Sequence, residues 1–165
     1  MMFEPFERKG NMKINVKRIP EDGETLRGSD PATIMELEEP DTRFEHEVEY
    51  DFLAQLQGDA VLVTGRLSTP ATLRCSRCLQ VFDFPVRVEH FVFHQELQGQ
   101  DFVDLTANMR EDIILELPQR ALCVEDCKGL CPHCGKDLNK GPCRCRRSGG
   151  DLRWHALDNL NLKLK

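Results

Sequence analysis

Eight cysteines grouped in four close pairs constrain this 165-residue chain more than any other feature. Cys75 and Cys78 form a C-x-x-C in the text CSRCL, and Cys123 and Cys127 are spaced C-x3-C. Cys131 and Cys134 form a second C-x-x-C in CPHCG, and Cys143 and Cys145 close the set as C-x-C. Tetrahedral zinc takes four soft ligands, commonly from two short turns that carry two thiolates each. The four pairs therefore predict two structural zinc sites of four cysteines. A disulfide framework would use the same residues, but it belongs to small secreted domains. The N-terminal text MMFEPFERKGNMKIN has no apolar h-region and no cleavage-site pattern. Without a signal peptide the expectation is a cytoplasmic chain that keeps its thiols reduced.

The length suits one medium domain, or one domain with a small metal-held appendage. No apolar run approaches the roughly 18 residues of a membrane span, so no membrane partner is expected. The net charge of -6 argues against a general nucleic-acid binder, but it hides a division. From Gln119 to Lys165, ten Lys/Arg against five Asp/Glu leave +5, and the first 118 residues carry -11. Such asymmetry suggests a basic contact surface on an acidic body. Each all-thiolate zinc site would carry about two negative charges, which weakens that positive potential.

Periodicity predicts an α+β fold, mainly an antiparallel β-meander packed by one helix and followed by a cysteine-rich zinc-binding region. Phe44, His46, Val48, Tyr50, Phe52, Ala54 and Leu56 alternate with Glu45, Glu47, Glu49, Asp51 and Gln55, the pattern of a half-buried strand with an acidic outer face. Gln57-Gly58-Asp59 is a turn signal, and a second strand is expected from Ala60 to about Leu67, interrupted at Thr69-Pro70. After the CSRC turn, Phe82, Phe84, Val86, Val88, His90, Val92 and His94 give a third alternation, with both histidines on the valine face. Met12 to Ile19 adds an early strand, and residues 20–40 read as an ordered loop or a mobile arm. Leu105, Met109, Ile113 and Leu117 recur every four residues, which predicts a core-packed helix from an Asp104 cap to Pro118. Asp151-Leu-Arg-Trp-His-Ala-Leu is a possible short helix beyond a Ser148-Gly149-Gly150 joint. The expected organisation is a body over 1–118, a zinc module over 119–147 and a tail over 148–165.

Loop length favours pairing Cys131/Cys134 with Cys143/Cys145 across the eight residues Gly135 to Pro142, and Cys75/Cys78 with Cys123/Cys127. The crossed arrangement, Cys123/Cys127 with Cys131/Cys134, is the alternative. Four thiolates leave no open coordination position, so both sites are expected to be structural. His133 lies inside a C-x-x-C turn and is a substitute ligand only if a cysteine is spare. No metalloprotease helix, Walker glycine loop, nucleophile elbow or dinucleotide fingerprint occurs, so no catalytic residues are expected. Thiol oxidoreductases place a C-x-x-C at a helix start after a strand, a context neither pair has here.

The text CSRCL at a strand end, the helix text REDIILELP from Arg110 to Pro118, and LCVEDCKGLCPHCGKDLNKGPCRC together resemble the YceD family of large-subunit ribosomal RNA accumulation proteins. The resemblance runs from about Leu62 to Cys145, with GLCPHCGKDLN its most specific run. It implies a non-enzymatic protein of ribosome biogenesis and carries over no catalytic residues or small-molecule substrate. Arg144, Arg146 and Arg147, with Lys128, Lys136 and Lys140, are the candidate contacts to large-subunit rRNA or a precursor particle. Trp154 can stack on an unpaired base or pack locally. The competing expectation is an adaptor whose acidic sheet face holds a basic ribosomal protein. A zinc or thiol-redox sensor is the third, and it needs labile metal or an exposed low-pKa thiol.

Overall fold

A computed structural model describes residues 12–37 and 39–145. Its elements are β1 (Lys13–Asn15), β2 (Glu24–Asp30), β3 (Thr42–Arg43), β4 (Val48–Gln57), β5 (Ala60–Arg74), β6 (Val81–Glu96), β7 (Phe102–Asp104) and α1 (Thr106–Leu115). β4, β5 and β6 form the expected antiparallel meander, and the fold class is as the sequence indicates. β2 adds to the outer edge of β4, β3 pairs the far end of β5, and β1 pairs β7 in a separate two-stranded sheet.

One face of the large sheet is covered. Val48, Tyr50, Phe52 and Ala54 of β4 meet Val61, Val63, Leu67, Ala71 and Leu73 of β5 and Val86, Val88, Phe91 and Phe93 of β6. Leu105, Met109 and Ile113, all fully buried, press the α1 stripe onto that face as their four-residue spacing requires. The cap position falls on Leu105 rather than on the expected Asp104, which stands two residues before the first helical position and still accepts from the Thr106 N–H at 2.9 Å. The helix is shorter than expected and ends at Leu115, three residues before Pro118.

Four further elements depart from the sequence expectation. β5 runs unbroken through Pro70, because Pro70 pairs Pro85 and falls between the last partner of β4, Ser68, and the first of β3, Thr72. Two opposed prolines cannot exchange N–H bonds, so they fit only a non-hydrogen-bonded pair. β6 changes phase: Leu67 faces Val88 but Gly65 faces Phe91, so Arg66 opposes both Glu89 and His90 in a β-bulge. Phe91 and Phe93 thereby turn inward, and His90, Val92 and His94 stand exposed on the outer face rather than with the core valines. Residues 20–40 are neither loop nor arm, since they hold β2 and a 3-10 turn, Ala32–Met35, that buries Ile34 and Met35. The early strand shortens to β1, with a 3-10 turn at Val16–Arg18. The short helix expected near Trp154 lies outside the described residues. Among the described residues no helix is long and apolar enough to cross a membrane.

Candidate metal centres

The CSRC turn closes the β5–β6 hairpin and projects beyond the sheet. Cys75 N–H donates to the Gln80 carbonyl at 2.8 Å, and Leu79 N–H reaches back to the Cys75 carbonyl at 2.9 Å. The chain after α1 folds against this turn. Ser76 N–H donates to the Ala121 carbonyl, Leu130 N–H to the Arg77 carbonyl, and the Arg77 guanidinium to the Cys127 carbonyl at 2.8 Å. These bonds bring Cys123 and Cys127 onto Cys75 and Cys78. The second tetrad joins Cys131 and Cys134 with Cys143 and Cys145. Within each tetrad the four sulfurs lie within 4.8 Å of one another. Of the two pairings left open by the sequence, the structure forms this one.

The geometry fits a tetrahedral ion. Metal–sulfur bonds of about 2.3 Å, the length zinc takes, require sulfur–sulfur edges of about 3.8 Å. The edges include Cys75–Cys127 at 3.8 Å, Cys78–Cys123 at 3.6 Å and Cys131–Cys143 at 3.4 Å. Three thiols of the first tetrad are buried, whereas in the second only Cys131 is, with Cys134 exposed. Phe82, Leu122 and Leu130 pack on the first tetrad and shield it from water.

Electrostatics prepare both sites for a cation. Burial raises the Cys75 thiol, but the N–H groups of Cys123, Cys78 and Arg77 directed at its sulfur outweigh that and bring its pKa to about 6. The N–H groups of Cys134 and His133, with the Cys143 thiol, bring Cys131 to about 6. Burial and then the Cys78 sulfur push Cys123 up to about 12, and the Cys134 sulfur and then burial push Cys145 up to about 12. Each tetrad thus favours one thiolate, at Cys75 or Cys131, and resists ionisation of another, at Cys123 or Cys145, a resistance that a bound divalent ion would remove. His133 contributes its backbone N–H and is not among the grouped ligand atoms.

The two C-x-x-C turns share one backbone shape. Gly135 follows Cys134 at φ 70 and donates its N–H to the Cys131 carbonyl at 2.8 Å, and Leu79 follows Cys78 at φ 62 with the same bond to Cys75. A left-handed leucine costs roughly 1–2 kcal/mol, and its side chain is 54% exposed, so packing returns little. Leu79→Gly is therefore expected to stabilise the metal-loaded protein and raise its melting temperature by about 2–4 °C, measurable by calorimetry.

Of the candidate RNA contacts, Lys128, Lys136, Lys140 and Arg144 are exposed on the second module. Lys136 Nζ donates to the Pro142 carbonyl at 2.9 Å, and Lys140 Nζ lies 3.9 Å from Asp137. Arg146 and Arg147 lie outside the described residues. The sequence reading missed Asn139, whose side chain touches a sulfur of the first tetrad from the loop of the second.

Fold and site together define a meander-sheet protein with two four-cysteine clusters that could each hold a metal ion, the first built on the turn of one hairpin. Residues 93–161 match the family model described as large ribosomal RNA subunit accumulation protein YceD, which supports assignment to the YceD family. An uncharacterized protein of Mycobacterium tuberculosis strain H37Rv is 31% identical over 126 residues, 67% of this chain and 60% of the relative. The protein described as large ribosomal RNA subunit accumulation protein YCED homolog 1, chloroplastic, of Arabidopsis thaliana is 35% identical over 63 residues, 38% of this chain and 20% of that one. The uncharacterized protein YlbN of Bacillus subtilis is 28% identical over 120 residues, 65% of this chain and 70% of the relative. The chain spans about 60% of the length of the Mycobacterium tuberculosis and Mycobacterium bovis relatives it matches. No solved structure matches it.

Proposed function

We propose that the chain is a non-catalytic, cytoplasmic ribosome-biogenesis protein that supports accumulation of large-subunit ribosomal RNA. It contacts that RNA, or a nascent large-subunit particle, through a C-terminal region held rigid by two structural zinc ions. The observation that carries this reading is the family match over 93–161, which takes in α1, six of the eight cysteines and the basic residues beside them. The all-thiolate tetrads support zinc, because soft tetrahedral donors suit it and leave no position for a reacting water. Bound zinc supplies structure here, and the chain's own residues do the recognition.

Charge decides where contact falls. Residues 119–145 hold five basic and three acidic side chains, and two loaded tetrads add about four negative charges. The module is therefore not basic as a whole, and attraction for phosphate is local to Lys128, Lys136, Lys140, Arg144 and the adjoining Arg146 and Arg147. Replacing Arg144, Arg146 and Arg147 with Ala removes up to three phosphate contacts. The slope of log affinity against log salt for single-stranded rRNA segments should then fall by about 2. An unchanged slope would remove direct phosphate contact from the account.

The adaptor reading has less support. Asp51 on the outer sheet face accepts from Arg27 at 3.0 Å and from Arg66 at 3.3 Å. Arg27 above all, against an opposing desolvation, holds the Asp51 carboxyl below the ordinary range, with Arg66 adding to it. Glu47 and Glu49 are bonded to Ser29 and Ser68, and Arg87 lies among them. That face is of mixed sign, and a basic protein would find little unopposed acid on it. Nuclease-treated pull-downs separate the readings, because a protein partner survives digestion and an RNA bridge does not.

A further inference from the structure

We propose that Asn139 couples the two metal centres, so that loading the second tetrad tightens the hold of the first. The inference rests on the reading that both tetrads bind metal. Asn139 belongs to the loop Gly135 to Pro142, which joins the two ligand pairs of the second tetrad. Its side-chain amide nevertheless donates to Cys127 Sγ of the first tetrad at 3.4 Å. The amide orientation is fixed from both sides: Lys128 N–H donates to Oδ1 at 2.7 Å, and Nδ2 donates to the Asp137 carboxylate at 2.9 Å. Turning the amide over would set the N–H of Lys128 against an NH2 group and the Asp137 carboxylate against an oxygen.

The loop reaches that sulfur because its backbone is tied down. Leu138 N–H donates to the Gly129 carbonyl at 2.9 Å, Leu130 and Asp137 form a β-bridge, and Cys131 N–H donates to the Lys136 carbonyl at 2.8 Å. Asp137 also accepts the Asn139 backbone N–H at 2.9 Å. Both ends of the loop are ligands of the second tetrad, so a metal there closes the loop and sets its shape. With the second tetrad empty, Cys143 and Cys145 are released and the loop loses one anchor. The Asn139 N–H then leaves Cys127. A neutral amide that donates to a metal-bound thiolate spreads its charge without competing for the ion. Energetic coupling is reciprocal, so the first ion also favours loading of the second.

Four full-length proteins test this: wild type, Asn139→Ala, Cys143→Ser/Cys145→Ser, and the three substitutions together. Zinc content and the rate of zinc transfer to a chelator are measured for each. Wild type should bind two ions and release them in two phases. The double serine variant holds only the ion of the first tetrad, which assigns its phase. Asn139→Ala should keep two ions and release that of the first tetrad about tenfold faster, at the low end of effects seen for hydrogen-bonding partners of metal ligands. The double serine variant should show the same acceleration, and the combined variant no more than either. Wild-type release of the first ion from Asn139→Ala, or additive acceleration in the combined variant, would overturn the coupling. If Asn139→Ala loses an ion outright, cadmium-113 spectra of partly loaded protein decide. The first-tetrad resonance must move in the variant while the second stays, and an unmoved first resonance also overturns the proposal. Wild type that binds no metal at all would instead sink the reading on which the proposal rests.

Discussion

Cys75→Ser is expected to abolish metal binding at the first of the two proposed sites and to release the segment from Ala121 to Leu130, while the sheet stays folded. Cys75 is fully buried at the end of β5, and its sulfur is the thiolate that three N–H groups favour. Serine offers a harder, smaller oxygen with no comparable thiolate chemistry. Apart from metal, the segment is joined to the CSRC turn chiefly by the bonds from Ser76 to Ala121, from Leu130 to Arg77 and from Arg77 to Cys127. Such bonds give about 1 kcal/mol each net. Ordering ten residues costs about 1–2 kcal/mol apiece in backbone entropy. Only the metal, on the order of 10–16 kcal/mol in small structural sites, covers that deficit. Hydrogen exchange should show amides of 121–130 unprotected in the variant, with those of β4 and β5 unchanged. Full protection of 121–130 in metal-depleted Cys75→Ser would mean that packing alone holds the segment.

Gly65→Ala is the most destabilising single-methyl change in the sheet. Gly65 pairs Phe52 on one side and Phe91 on the other. The two rings stack over it with centroids 4.8 Å apart, covering backbone that a side chain would otherwise occupy. A Cβ at this position would lie 2.1 Å from the Asp51 carbonyl oxygen and 2.9 Å from the Phe52 Cα. Both obstacles are backbone or tightly packed atoms of the central strand pair, so neither can turn aside. The expected loss is about 3 kcal/mol, the upper part of the range for overpacked cores. In a protein of this size that lowers the melting temperature by roughly 6–12 °C. Calorimetry checks it, and a shift below a degree would show that β4 and β5 can separate locally at no cost.

The same glycine explains why part of the fold escaped the sequence. The alternation of Val48, Tyr50, Phe52 and Ala54 was legible because β4 has no irregularity and its outer face is charged. β6 looked equally regular, yet its bulge opposite Arg66 exchanges the faces of everything after Val88. Phe91 then meets Phe52 above Gly65, a contact made across three strands that no local pattern encodes. Pro70 read as a break because its partner Pro85 is distant in sequence, and only their pairing shows that no ladder bond is lost. β2 carries Arg27, Gly28 and Ser29 in place of apolar alternation, so its place beside β4 comes from the tertiary fold. The cysteine clusters were legible for the opposite reason: cysteines in close pairs have few physical uses, and short loops restrict which pairs can meet. Asn139 was not, because a single amide in a polar loop has no pattern until the loop is folded back on Cys127.

The most direct measurement is metal content and thiol reactivity of the purified full-length chain, by native mass spectrometry with and without a chelator. The expected result is two zinc ions per chain and eight thiols that react with an alkylating reagent only after chelation. A metal-free chain whose mass reveals disulfides, or one whose eight thiols alkylate at once while residues 121–145 stay protected from exchange, would contradict it.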